Sequence, residues 1–247
     1  MQPHKIASRE EWLAVRKALL VKEKELTRLR EKLSAERRAL PWVKVEKNYV
    51  FDTPKGKKTL VELFDGRSQL IVKHFMFPPG AKNVCVGCSF QSDHIDGANM
   101  HLAHHDVTLI AVGRAPLAEL QAYKERMGWK FNWVSSNSSD FNYDYNVSFR
   151  PEELAKGKAY YNYEMRDVGI EDLSGISVFH KDANGDIFHT YSIYGRGGEE
   201  TIGAYIYLDI TPKGRDETIN GNLTDWVKRH DEYEDAKDAD DCCHSKA

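Results

Sequence analysis

The sequence predicts an α/β protein: a mixed sheet flanked by helices, with a long helix ahead of it and an insertion before a C-terminal hairpin. Three observations carry this reading. An apolar run from Gln69 to Phe77 leads through Pro78-Pro79-Gly80 into Cys85-Val86-Gly87-Cys88, and a helix-compatible segment, Ser89 to His105, follows. Buried-type strands then alternate with a helical segment bounded by Pro116 and Gly128. Near the C-terminus two strand-like runs flank Asn184-Gly185, a strong turn signal.

Composition permits such a fold and excludes several alternatives. The chain has 247 residues, 41% of them apolar, enough for a sizeable core without staples. A net charge of −3 provides no basic field for nucleic acid. No apolar run approaches the roughly 20 residues of a membrane span. Met1 to Ala7 lacks the apolar stretch of a signal peptide, so the expectation is a cytoplasmic protein without membrane or nucleic-acid partners. Four cysteines, Cys85, Cys88, Cys242 and Cys243, are too few and too clustered for a disulfide framework. A lone Cys-x-x-Cys in a reducing compartment points to catalysis or metal binding instead.

Taken in order, Ser8 to Leu40 reads as one helix. Ser8 with Glu11 forms a capping box, and Pro41 marks the end. Trp12, Val15, Leu19, Leu26, Leu29 and Leu33 follow a 3-4 spacing broken once, at Lys22. The other faces are charged with both signs. At about 1.5 Å per residue the helix spans about 50 Å. It lies along its own domain or packs on a second subunit, and a homodimer through this helix is expected. Tyr49 to Asp52 reads as a short edge strand, and Thr59 to Phe64 as one helical turn closed by Asp65-Gly66. Gln69 to Phe77 is a buried strand whose only polar interior residues are Lys73 and His74. Val107 to Val112 is a second such strand, Pro116 to Met127 a helix, and Trp129 to Val134 a third, aromatic strand.

Ser135 to Asp140 is a polar loop. Phe141 to Ser174, rich in Tyr, Asn and Asp, is expected to hold little regular structure. Ile176 to His180 and Ile187 to Tyr194 form the hairpin, Glu199 to Leu208 a helix, and Leu223 to Tyr233 a last helix. The expected organisation is a helical arm over 1–41, a domain over 42–233 with an insertion at about 137–174, and a charged flexible tail over 234–247.

Without arm and insertion the order is β-α-β-α, an extra strand, then β-β-α. That is a thioredoxin-like core, with a dithiol where the first core helix begins. The chain also resembles a particular family. Leu60-Val61-Glu62-Leu63-Phe64-Asp65-Gly66-Arg67, His74-Phe75-Met76-Phe77, Cys85-Val86-Gly87-Cys88-Ser89, Trp133-Val134-Ser135-Ser136, Thr190-Tyr191-Ser192 and Leu208-Asp209-Ile210-Thr211-Pro212 are similar to the bacterial thioredoxin-like family catalogued as domain of unknown function 899. Its members are often labelled predicted dithiol–disulfide oxidoreductases, and the resemblance implies that activity here.

The residues themselves support dithiol chemistry. A cysteine at a helix N-terminus faces unpaired backbone N–H groups, which favour thiolate over thiol. Cys85, at the loop–helix junction, is the expected nucleophile, and Cys88, one turn further, the resolving thiol. The partner is a disulfide-containing protein or a small thiol, and no cofactor is implied. Two departures from related sites stand out. Leu173-Ser174-Gly175 precedes the third core strand where thioredoxin-like proteins carry a cis-proline. Pro78 lies seven residues before Cys85, as in peroxiredoxins, but their threonine position is Lys82. The site is therefore a peroxiredoxin-like variant, with a thiol peroxidase as the alternative reaction. A third reading is a metal-binding or redox-sensing protein that does not turn over, with Cys85, Cys88 and His74 as the candidate ligands. Lys82, His74, Trp133, Ser135 and Arg196 are the further candidates to line the site. His94, His101 and His105 read as packing or surface residues.

Overall fold

The computed structural model describes residues 4–215, 217 and 226–234. Contacts divide the chain into two units, Met1–Trp42 and Val43–Ala247. The first unit is helix α1, Arg9–Arg38. The Ser8 hydroxyl accepts the Glu11 backbone N–H at 3.2 Å, and the Glu11 carboxylate accepts the Ser8 N–H at 2.9 Å, completing the capping box. Glu10 and Glu11 in the first turn and Arg37 and Arg38 in the last complement the helix dipole. No residue of α1 is buried, its apolar row included.

The second unit begins with β1 (Val43–Lys44), β2 (Val50–Thr53), β3 (Gly56–Thr59), α2 (Leu60–Leu63) and β4 (Gln69–His74). Helices α3 (Val86–Ser92) and α4 (Ile95–Ala103) carry the chain over to β5 (Val107–Gly113). Helix α5 (Leu117–Arg126) leads to β6 (Trp133–Ser135). Then come α6 (Phe141–Asp144), α7 (Pro151–Ala155), β7 (Ala159–Tyr161) and β8 (Glu164–Arg166). The chain re-enters the main sheet with β9 (Gly175–Lys181) and β10 (Ile187–Tyr194). A 3-10 turn (Gly195–Thr201) and α8 (Gly203–Leu208) follow.

The main sheet has the order β1-β10-β9-β4-β5-β6-β2-β3. Strands β4, β5 and β6 are parallel, while β9 pairs antiparallel with β4 and β10 with β9. The central run β10-β9-β4-β5-β6, with α3 and α4 crossing from β4 to β5, is a thioredoxin-like fold. Period-2 alternation builds a core on each face. Leu70, Val72, Ile110 and Val112 pack with Phe51, Phe64, Phe141 and Phe179 on one side. Ala111, with Phe75 and Phe77 just past β4, packs with Cys88, Leu120, Tyr123, Trp129 and Trp133 on the other.

Several elements differ from the sequence expectation. The strand at Tyr49–Asp52 is internal, because β3 folds back on β2 and takes the edge. The predicted helix after the dithiol breaks at Asp93-His94. There the Asp93 carboxylate binds the Trp129 indole N–H at 2.7 Å and His230 at 2.7 Å, and the His94 ring bonds the Phe90 carbonyl and the Ala204 N–H. Only the end of Trp129–Val134 is strand. The Lys130 N–H is captured by the Asp96 carboxylate at 2.8 Å instead of a ladder, and the rings of Trp129 and Phe131 fill the core.

The expected insertion is more ordered than its composition suggests. It carries α6, α7 and the β7–β8 hairpin, and Val147, Phe149, Ala159 and Tyr161 form a small core with Tyr194. The hairpin turns at Asn162-Tyr163, both at positive φ (53° and 67°), a mirror-image turn usually marked by glycine. Arg114 after β5 binds buried Asp172 at 2.7 Å and ties the insertion to the sheet. The expected last helix is also corrected. Of Leu223–Tyr233, residues 223–225 lie outside the described residues, and the remainder holds one 3-10 turn, His230–Glu232. This stretch is held by side chains instead: Arg126 binds Asp231 at 2.6 Å, and Arg229 donates to the Val84 carbonyl. Cys242 and Cys243 lie outside the described residues.

Candidate active site

The parallel strand β4 ends at His74, and the loop after it is pinned to β5 and α5. The Phe75 N–H donates to the Val112 carbonyl at 2.8 Å, the Ala115 N–H to the Phe77 carbonyl at 2.7 Å, and the Gly80 N–H to Glu119 at 3.2 Å. Gly80 sits at φ +70°, which suits a residue without a Cβ. The loop delivers Cys85 as the N-cap of α3. The Cys88 backbone N–H donates to Cys85 Sγ at 3.2 Å. Ser89, fully buried, donates its hydroxyl to the Cys85 carbonyl and meets the Tyr123 hydroxyl, each at 2.9 Å. Cys85 is therefore held by hydrogen bonds at its sulfur and at its carbonyl.

The two sulfurs differ in setting. Cys85 is half-buried and Cys88 buried. The Cys88 thiol, the Cys88 and Gly87 backbone N–H groups and the Lys73 ammonium outweigh burial and lower Cys85 to about 6. Hydrogen bonding to Cys85, burial and the Cys85 charge push Cys88 well above the usual thiol range. One sulfur is poised as thiolate and the other as thiol, the division that two-step exchange requires.

Lys73 of β4 reaches towards α3, the helix that carries the pair. It is 2% exposed, and burial lowers its ammonium pKa, while both cysteines act in the opposite sense. Its Nζ donates to the Gln91 side-chain carbonyl, and the Gln91 amide donates to the Gly198 carbonyl at 2.9 Å and Thr201 Oγ1 at 2.7 Å. Gln91 thus connects β4, α3 and the 3-10 turn behind the dithiol.

Cys85 and the buried Cys88 both line a cleft of about 260 Å³. Met76, Phe90, Ile202 and Tyr205 supply its apolar wall, and Gln91, Ser174, Arg196 and Glu199 its polar groups. Ser174, in place of a proline, is held from behind: the Tyr161 hydroxyl donates to its carbonyl at 2.7 Å and accepts the Gly195 N–H at 2.9 Å. Arg196 sits at the mouth and pairs with Glu199 at 2.8 Å.

Of the residues singled out in the sequence, Cys85, Cys88 and Arg196 meet at this cleft. Four others do not. His74 points to the opposite face of β4, where it bonds Ser177 at 2.9 Å and packs against Phe141. Among the described residues no cluster of three His, Cys, Asp or Glu side chains is placed to hold a metal ion, so His74 does not join the sulfurs as a ligand. Trp133 is core, its ring 4.5 Å from that of Phe75. Ser135 is fully buried and donates to the Ala115 carbonyl at 2.7 Å. Lys82 is exposed on the loop and does not line the cleft. Lys73, Gln91, Ser174 and Glu199 were not singled out. For Lys73 the available signal was parity: it shares the odd positions of Phe75 and Phe77.

Strand order and dithiol position define the class, a thioredoxin-like protein with a Cys-x-x-Cys pair at the start of its first core helix. The chain belongs to the family described as bacterial protein of unknown function (DUF899), whose model matches residues 1–233. No curated protein matches it by sequence. Solved structures with similarity include peroxidoxin BcpB from Mycobacterium tuberculosis, at 11% identity over 67% of this chain and 97% of that one, with a TM-score of 0.43. A Xanthomonas campestris peroxiredoxin Q mutant aligns at 9% identity over 64% and 90%, with a TM-score of 0.43. The mitochondrial 2-Cys peroxiredoxin of Plasmodium falciparum aligns at 13% identity over 68% and 94%, with a TM-score of 0.37. At such distances chemistry rests on this chain's own residues. No described helix is long and apolar enough to cross a membrane.

Proposed function

We propose that the protein is a thiol–disulfide oxidoreductase, with Cys85 as nucleophile and Cys88 as resolving thiol. The observation that carries this reading is the asymmetry of the pair. Cys85 is accessible from the cleft and lowered to about 6 chiefly by the Cys88 hydrogen bond, while Cys88 is buried behind it as a thiol. Near neutral pH, Cys85 thiolate attacks one sulfur of a substrate disulfide, and the other sulfur leaves as thiolate. Cys88 then attacks Cys85 Sγ, the mixed disulfide breaks, and the second substrate thiol departs. Two electrons pass to the substrate and Cys85–Cys88 becomes a disulfide, which an external thiol must reduce.

The substrate class is a disulfide of a protein or small molecule whose apolar flank fits against Met76, Phe90 and Ile202. The test is turnover of insulin disulfides with a thiol reductant. Wild type should accelerate reduction, and Cys85→Ser should fall to the uncatalysed rate. Equal rates for the two would defeat the reading.

A further inference from the structure

Two rigid peptide planes flank Cys85, and their orientations define its φ of −56° and ψ of 116°. These angles aim the Cβ, and with it the Sγ that meets the Cys88 N–H at 3.2 Å. The plane after Cys85 is held from within α3. The Ser89 N–H and hydroxyl both donate to the Cys85 carbonyl, at 3.0 and 2.9 Å. The plane before it carries the Val84 carbonyl, which accepts from the Arg229 guanidinium, a residue far along the chain.

Arg229 arrives on an anchored segment. Val227 is buried against Phe90, Ile202 and Tyr205, three residues of the cleft wall. His230 binds Asp93, the C-cap of α3, at 2.7 Å, and Asp231 binds Arg126 of α5 at 2.6 Å. The Arg229 side chain is itself only 14% exposed. Its Nη1 donates to Glu232 at 2.7 Å, and its Nη2 to the Val84 carbonyl. A planar fork with two partners sets the direction of both bonds. The guanidinium also faces the Tyr123 hydroxyl, which meets Ser89 at 2.9 Å. Both planes flanking Cys85 thus lead back to one side chain.

We propose that Arg229 is a positioning residue for the nucleophile: it fixes the Val84–Cys85 peptide plane, so that Cys85 Sγ stays aimed at the backbone N–H of Cys88. This rests on the oxidoreductase reading above for the role of Cys85. Without Arg229 the plane can turn, the N-cap sulfur loses its alignment, and the thiolate loses a hydrogen bond that favours it over the thiol.

The experiment follows alkylation of Cys85 by iodoacetamide against pH, read by peptide mass mapping. Arg229→Gln should raise the midpoint by about one pH unit, so that alkylation at pH 5 slows about tenfold. Ser89→Ala loosens the other plane and should shift the midpoint the same way. Either loosened plane releases the same sulfur, so the double variant should shift no further than the larger single variant, where independent effects would add. Arg229→Lys keeps the charge and the apolar stem without the fork, and its midpoint should rise too. It carries the test if Arg229→Gln does not fold. A wild-type midpoint in folded Arg229→Gln would overturn the proposal. So would additive shifts, or a wild-type midpoint in Arg229→Lys, either of which would make Arg229 a charge acting through space. Alkylation needs no disulfide substrate. Absent insulin turnover with these shifts intact would therefore count against the oxidoreductase reading and leave the role of Arg229 standing.

Discussion

Cys85 Sγ accepts the backbone N–H of Cys88 at 3.2 Å, so Cys88 stabilises negative charge on the Cys85 sulfur. The Cys88 thiol is the largest influence lowering Cys85, ahead of the backbone groups and Lys73. The reactivity of Cys85 should therefore depend on Cys88 before any substrate is present. Alkylation of Cys85 by iodoacetamide should rise with pH through a midpoint near 6, because the thiolate is the reacting form and its pKa lies there. In Cys88→Ala the midpoint should move up, since the thiol donor is lost while the backbone N–H remains. Cys88→Ser, which keeps a hydroxyl, should fall between them. Identical midpoints in all three proteins would contradict the arrangement.

His74 and Lys73 are adjacent but serve opposite faces of β4. His74 bonds Ser177, which bonds Ser192 in turn, each at 2.9 Å. His74→Gln should lower stability to urea by about 1–3 kcal/mol through disturbance of buried hydrogen bonds. It should leave the Cys85 alkylation midpoint where it is. A shifted midpoint with unchanged stability would place His74 on the dithiol side, against the geometry.

The apolar row of α1 is Trp12, Val15, Leu19, Leu26, Leu29 and Leu33, all exposed. Two copies are expected to pair along this row, the common use of a heptad-like seam. Light scattering should give a dimer mass for the whole chain and a monomer mass after removal of residues 1–41. A monomer in both cases would refute the pairing.

The frame of the site was legible in sequence because it is local. The strand, the Pro-Pro-Gly loop and the dithiol are contiguous, and Asn184-Gly185 announces the hairpin whose partner strand lies beside β4. The lining was less legible because it comes from distant segments. Arg196 was anticipated, but Ser174 and Glu199 meet the dithiol only through the fold; Gln91 is local to it on α3 and went unnoticed for want of a motif. His74 was expected at the dithiol and lies on the opposite face, because β4 is covered on both faces and polarity alone did not say which side held the dithiol. Trp133 and Ser135 belong to a strand of only three residues whose side chains are all buried. The β7–β8 hairpin escaped notice because Tyr163 occupies a left-handed position where glycine is the usual signal.

The central claim is that Cys85 attacks and Cys88 resolves, and trapping the intermediate tests it most directly. Cys88→Ala incubated with glutathione disulfide should accumulate a single glutathione adduct, located on Cys85 by peptide mass mapping and released by added thiol. Wild type treated alike should carry no lasting adduct and should instead contain a Cys85–Cys88 disulfide. An adduct absent from Cys85 in the variant, or one equally persistent on Cys85 in wild type, would contradict the account.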